Sequence, residues 1–102
     1  MKIPKRLKIG GHDYQIVFPY VFTERSDLTG QNDPNLKLIR IVEYVNDERR
    51  ANSAICVTLI HEVLHAIDHN TGQQIFTGND GECKIGALSE GIYSLLVDND
   101  FL

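Results

Sequence analysis

The sequence is poor in the residues that mark several protein classes: it has no tryptophan, one methionine, three prolines and two cysteines. Two cysteines, Cys56 and Cys83, do not make a disulfide framework, so we expect a reduced, intracellular protein. No apolar run approaches the ~20 residues that span a bilayer, and the N-terminus lacks the apolar stretch of a signal peptide. These absences predict a cytoplasmic protein without a membrane partner.

Positive charge is also scarce, since 10 lysines and arginines stand against 14 acidic residues and the net charge is −4. A surface that binds nucleic acid normally shows a basic excess, so the composition disfavours a nucleic-acid partner. The length of 102 residues, with 42% hydrophobic and 24% charged side chains, predicts one globular domain over residues 1–102. The sequence leaves the oligomeric state open.

The first half of the chain is predicted to form strands. A Gly10–Gly11 pair divides "RLKIGGHDYQIVF" into two loosely alternating segments. This is typical of a β-hairpin, because glycine supplies the positive φ of a tight turn. Residues 23–35 are rich in turn formers and are expected to be a loop. Residues 36–45 are rich in β-branched and large apolar side chains and are predicted to form a third strand.

The second half is predicted to form helices. Asn46 or Asp47 is expected to cap a long helix that stops near Asn70 or Gly72. A last helix, about residues 80–98, carries apolar side chains at helical spacing: Ile85, Leu88, Ile92 and Leu95. Strands first and helices last predict an α+β fold, in which a small antiparallel sheet of about three strands packs against the two helices.

The central helix contains the pattern His61-Glu62-Val63-Leu64-His65, an HExxH motif in an otherwise apolar frame. At about 100° per residue, the two histidines lie about 40° apart, one turn from each other. Two imidazoles at that spacing can both direct a nitrogen at one zinc ion, roughly 2.0–2.1 Å away. The glutamate between them reaches a water on that ion and takes its proton. The motif therefore predicts a zinc site at His61 and His65, with Glu62 as the catalytic base.

Catalytic zinc normally has three protein ligands, so a third is expected. His69 is two turns from His61, about 12 Å along the axis, and a straight helix excludes it. The remaining candidates are carboxylates after the following loop: Asp80, Glu82 and Glu90. Glu82 lies at the border of the last helix's apolar stripe, whereas Glu90 lies on its far side. Glu82 is favoured as the third ligand, and Asp80 and Glu90 are the alternatives.

The motif and its surroundings resemble a known group of proteins. "TLIHEVLHAID", followed after a loop by "GECKIGALSEGIYSLLVDN", resembles the small HExxH proteins of phages and prophages. Those proteins are related in pattern to the ImmA/IrrE-like and SprT-like zinc metallopeptidases. The resemblance implies a minimal zincin-like fold of the gluzincin type. It also implies zinc held by His61, His65 and Glu82, with Glu62 as general base. For a phage-encoded protein the expected compartment is the cytoplasm of the host cell.

The HExxH motif and the resemblance lead us to expect one of two functions. The first is a zinc-dependent metallopeptidase whose peptide or protein substrate lies beside the third strand as an added edge strand. The second is a phage accessory or interaction protein on a zincin scaffold, in which metal stabilises the fold and peptidase activity is weak or absent. Cleavage specificity and the metal used in cells stay open.

Overall fold

Strands occupy the first half of the chain and helices the second half, as predicted. The structure is a computed structural model and describes residues 2–102. Within these residues the strands are β1 (Arg6–Ile9), β2 (His12–Tyr20), β3 (Gly30–Asp33), β4 (Leu38–Val42), β5 (Tyr44–Val45) and β6 (Glu48–Arg49). The helices are α1 (Asn52–Thr71) and α2 (Gly78–Asp98).

The glycine pair forms the turn of the predicted N-terminal hairpin. Gly10 has φ 59° and Gly11 has φ 83°, and β1 pairs antiparallel with β2 so that Ile9 lies opposite His12. Two consecutive positive φ values match the type I′ turn, whose twist suits the strands on either side. The hairpin prediction is confirmed.

The sheet is larger than predicted and is mixed rather than antiparallel. Its strand order is β1-β2-β4-β3, with β2 and β4 parallel and β3 and β4 antiparallel. The prediction missed β3 because Gly30 to Asp33 consists of residues with low strand propensity, inside a segment assigned to a loop. The chain reverses direction after β2 and again after β3, so β4 runs in the same direction as β2. Because β3 lies on the outer side of β4, β2 and β4 are neighbours and pair in parallel.

The beginning of α1 also differs from the prediction. Asn46 and Asp47 do not cap the helix but form a two-residue turn, with φ values of 51° and 65°, between the short paired strands β5 and β6. Asn and Asp tolerate the left-handed conformation as well as they cap helices, so local sequence alone did not distinguish the two roles. The predicted end is confirmed, because Gly72 follows α1 with φ 70° in the left-handed region.

The core lies between the four-stranded sheet and α1. It is built from β1, β2, β4 and α1, and its buried residues are Ile9, Tyr14, Ile16, Ile39, Ile41, Ile55, Leu59 and Ala66. Each buried isoleucine contributes roughly 1.5–3 kcal/mol relative to an exposed one. This layer fixes the orientation of α1 and therefore of the motif that it carries.

Helix α2 packs against α1 and buries only part of its apolar stripe. Its buried residues are Gly81, Ile85 and Ser89, whereas Leu88 and Leu95 are 45% and 57% exposed. The contact between the two helices therefore depends on a few residues in the first half of α2. Across residues 2–102, no helix has the length and hydropathy that a membrane span requires.

Candidate metal centre

The two motif histidines lie side by side on α1. Their ring centroids are 5.0 Å apart, with 61° between the ring planes, and each side chain is 23% exposed. A helix places residues i and i+4 on one face, and the apolar residues on the opposite side of α1 hold that face away from the core. The histidines therefore sit at the rim of the protein, partly shielded from water.

Of the three candidate carboxylates, the structure brings Glu82 to the histidines. Its Oε1 lies 2.8 Å from His65 Nε2, and its Oε2 lies 3.3 Å from His61 Nε2. Asp80 is instead paired with Lys84 at 2.9 Å and is 83% exposed, and Glu90 is exposed and outside this cluster. The geometry thus agrees with the preference for Glu82, while its role as a metal ligand stays a prediction.

The cluster fits a divalent ion in both reach and chemistry. One donor atom from each of His61, His65 and Glu82 lies within 4.8 Å of the others. Tetrahedral donors about 2.0–2.1 Å from a zinc ion are about 3.3–3.4 Å apart, so small side-chain adjustments would suffice. Two imidazole nitrogens and a carboxylate oxygen, with an open side, are a donor set that catalytic zinc uses.

The protonation state of His61 favours metal binding. Burial lowers the pKa of its imidazole, and the neighbouring His65 adds to this effect, although the Glu82 carboxylate acts in the opposite direction. A lowered pKa favours the neutral ring, in which one nitrogen has a lone pair that a cation can bind.

Glu62, the proposed base, lies on the same helix but is far more buried than the cluster, at 7% exposure. Burial and the nearby negative charge of Glu82 raise the pKa of this carboxyl to about 7, and a hydrogen bond donated by the backbone N–H of Asn32 partly opposes the increase. A carboxyl group with a pKa near neutrality exchanges protons readily in both directions, which suits a general acid–base catalyst.

Strand β3 approaches Glu62 closely because residue 30 is glycine. A Cβ at Gly30 would lie 2.6 Å from Thr58 Cγ2 and 3.0 Å from Glu62 Oε2. Arg50 fixes the same region by donating hydrogen bonds to Val42 O at 2.8 Å and to Thr58 Oγ1 at 2.6 Å, which ties β4 to α1. Sequence reasoning missed Gly30, and only an isolated glycine among turn formers marked it.

A groove of about 780 Å³ runs along β3 and past the cluster. Its lining includes Gly30, Gln31 and Asn32 from β3, His61, Glu62 and His65 from α1, and Phe76, Thr77 and Glu82 from the second helix and the loop before it. The groove therefore joins the candidate ligands, the candidate base and one edge of the sheet in a single open site.

Within residues 2–102, no strand pairs with the outer edge of β3, which faces this groove. Val42 N–H donates a hydrogen bond to Thr29 O at 3.0 Å. In an antiparallel pair every second residue bonds to the partner strand, so Thr29 and Gln31 bond to β4 and the residues between and after them do not. The peptide groups of Gly30 and Asn32 consequently point away from β4. The Asn32 N–H donates its hydrogen bond to the Glu62 carboxyl group instead. The predicted third strand cannot take an added strand, because β4 is paired on both sides.

Comparison with known proteins identifies no relative of this chain. No family of known proteins matches the chain, and no match was found among curated proteins or solved structures. Fold and site together define the class only as an α+β protein with a His–His–Glu cluster beside a buried glutamate. The resemblance to HExxH metallopeptidases stays a proposal carried by the motif.

Proposed function

We propose that this protein is a zinc-dependent metallopeptidase of the gluzincin type, similar to the small HExxH proteins of phages. One observation carries the proposal: the motif histidines meet a carboxylate from the next helix, beside a buried glutamate, in a groove bounded by a free strand edge. A polar helix face that served only solubility would need none of these further features.

In this proposal His61, His65 and Glu82 hold the zinc ion. When bound, zinc supplies a Lewis acid that polarises a carbonyl group and lowers the pKa of water. The neutral imidazole of His61 and the Glu82 carboxylate provide the ligand chemistry that zinc prefers. The loop and helix that present Glu82 leave this side of the cluster open, since its side chain is 55% exposed.

Glu62 moves the proton. Its carboxylate takes a proton from the attacking water and donates it to the amine that leaves when the peptide bond breaks. Burial keeps the pKa of Glu62 near neutrality, at about 7, so neither transfer is strongly uphill. The Asn32 N–H holds the carboxyl group in place between β3 and α1.

The substrate in this proposal is an extended peptide that pairs with β3. The outward peptide groups of Gly30 and Asn32 offer backbone hydrogen bonds at the free edge. Because Asn32 N–H already bonds to Glu62, a paired strand would use the Gly30 N–H and the carbonyl oxygens of both residues. A strand in that position runs past the metal cluster, along the groove.

Two measurements test the proposal. Wild-type protein should bind one zinc ion per chain and cleave a mixed peptide library, and Glu62→Gln should bind zinc but lose cleavage. Glutamine keeps the size and the hydrogen bond from Asn32 but cannot take up the proton. Equal cleavage by both proteins would refute the peptidase function, and a wild type that takes up no zinc would refute the metal site.

The packing of α2 favours a second candidate, an accessory or interaction protein in which the metal is structural. Within α2 only Gly81, Ile85 and Ser89 are buried, so an ion bridging Glu82 to α1 would add a substantial link to a thin contact. If chelation unfolds the protein and no peptide in the library is cut, this function replaces the peptidase.

A further inference from the structure

Asp68 lies on α1 one turn beyond His65, and it is only 8% exposed. Its carboxylate accepts two backbone hydrogen bonds from the loop between the helices: Ile75 N–H donates to Oδ1 at 2.8 Å, and Phe76 N–H donates to Oδ2 at 2.9 Å. These bonds also lower the pKa of Asp68, so the group is charged at neutral pH. Hydrogen bonds to an ionised acceptor are among the stronger ones in proteins.

The loop that Asp68 holds, residues 72–77, lies mostly at the protein surface. All of its residues are exposed except Phe76, which is partly buried. Apolar burial therefore contributes little to its position. The two hydrogen bonds to Asp68 tie the loop to α1 at Ile75 and Phe76.

The same loop sets the first turns of α2. Gly81 packs against the backbone of Phe76 so tightly that a Cβ at position 81 would lie 2.5 Å from the Phe76 carbonyl carbon. Gly81 N–H also donates to Thr77 O at 3.1 Å. The next residue along the chain is Glu82, whose carboxylate contacts both histidines. Contacts thus run from Asp68 through Phe76 and Gly81 to Glu82.

We propose that Asp68 is a positioning residue for the metal site: by fixing the loop at Ile75 and Phe76, it holds Glu82 against the imidazoles of His61 and His65. The inference rests on the proposed function, because it assumes that these three side chains bind zinc. It assigns Asp68 a role through the loop, rather than one as a direct partner of a histidine ring.

Zinc affinity of the metal-free protein, measured by competition with a chromophoric chelator, tests the role. In Asp68→Asn the new NH₂ group opposes one of the two backbone N–H donors, and we expect zinc binding to weaken by about tenfold or more, the usual range for groups that orient ligands. Asp98→Asn is the matched control, since it removes the same charge from an exposed residue at the far end of α2. Its zinc affinity should equal that of the wild type.

A double-mutant cycle separates positioning from general destabilisation. If Asp68 acts through Glu82, then Asp68→Asn should weaken zinc binding in the wild type but not in a Glu82→Gln background. Equal weakening in both backgrounds would overturn the inference. Normal zinc binding by Asp68→Asn would overturn it too, while leaving the proposed function intact. A wild type that binds no zinc would instead refute the proposed function.

A second variant keeps the test decisive if Asp68→Asn does not fold, as judged by circular dichroism. Gly81→Ala disturbs the same contact from the other side, because its methyl group would displace the Phe76 backbone. Its zinc affinity should fall in the wild-type background and stay unchanged with Glu82→Gln. Unchanged affinity in the wild-type background would contradict the inference by an independent route.

Discussion

At the scale of single residues, Glu62 illustrates a conflict between stability and chemistry. The side chain is almost fully buried, yet the one hydrogen bond identified to its carboxyl group, from Asn32 N–H, does not offset the loss of hydration and the repulsion from Glu82. A buried carboxyl group in such surroundings favours its neutral form. Burying this ionisable group therefore lowers the stability of the fold, and a position that served only packing would not need such a group.

This conflict predicts a pH dependence of stability in the metal-free protein. The pKa of Glu62 is about 7 in the fold and near 4.5 in the unfolded chain. The unfolded chain therefore releases this proton first, and the free energy of unfolding falls as pH rises from about 4.5 through 7. Once the pH is well above 7, the loss amounts to about 3 kcal/mol. Glu62→Gln lacks this ionisation and should be more stable than the wild type at pH 8.

Chemical denaturation in the presence of a chelator, repeated between pH 4 and pH 8, measures the effect. The two proteins should have similar stability near pH 4, where the wild-type carboxyl group is protonated in both states, and should diverge above it. Two parallel stability curves would mean that Glu62 ionises as easily in the fold as in water.

At the scale of elements, the close approach of β3 to α1 depends on one glycine. Gly30→Ala would place a methyl group against the side chains of Thr58 and Glu62, so these side chains or the strand itself must shift. We expect a loss of about 1–3 kcal/mol in the free energy of unfolding, together with a large fall in peptidase activity. Both are measured on the same preparation, by denaturation and by peptide cleavage.

Gly91→Ala is the control for this substitution. Gly91 lies in α2 with nothing within 4 Å of a built Cβ. Alanine should stabilise the helix there by up to about 1 kcal/mol and leave activity unchanged. If Gly30→Ala behaved like this control, β3 would not lie against Glu62, and it would not form one side of the groove.

The elements that sequence alone predicted are those with a local signal. Gly10 and Gly11 marked a hairpin turn, Gly72 marked the end of α1, and helix-face geometry selected Glu82. Strand β3 could not be found in this way, because its residues prefer turns. It is a strand only through its pairing with β4, which no local pattern reveals. The free edge of the groove, which the proposed substrate uses, was therefore invisible from the sequence.

At the scale of the whole molecule, two layers of unequal strength are joined at the candidate site. The sheet and α1 share the main core, whereas α2 adds only a few buried residues to α1. An ion gripped by side chains from both helices would connect the weaker layer to the stronger one. Zinc should therefore raise the melting temperature of the protein as well as complete its site.

A thermal-shift series tests this link in the intact chain. Zinc at about 100 times its dissociation constant should stabilise the wild type by about 2.7 kcal/mol, and a chelator should reverse the effect. His61→Ala removes one proposed ligand and should abolish the shift, whereas His12→Ala, at an exposed position of the first hairpin, should retain it. A shift that persists in His61→Ala would place the stabilising ion elsewhere, and the two helices would then have to be held together by packing alone.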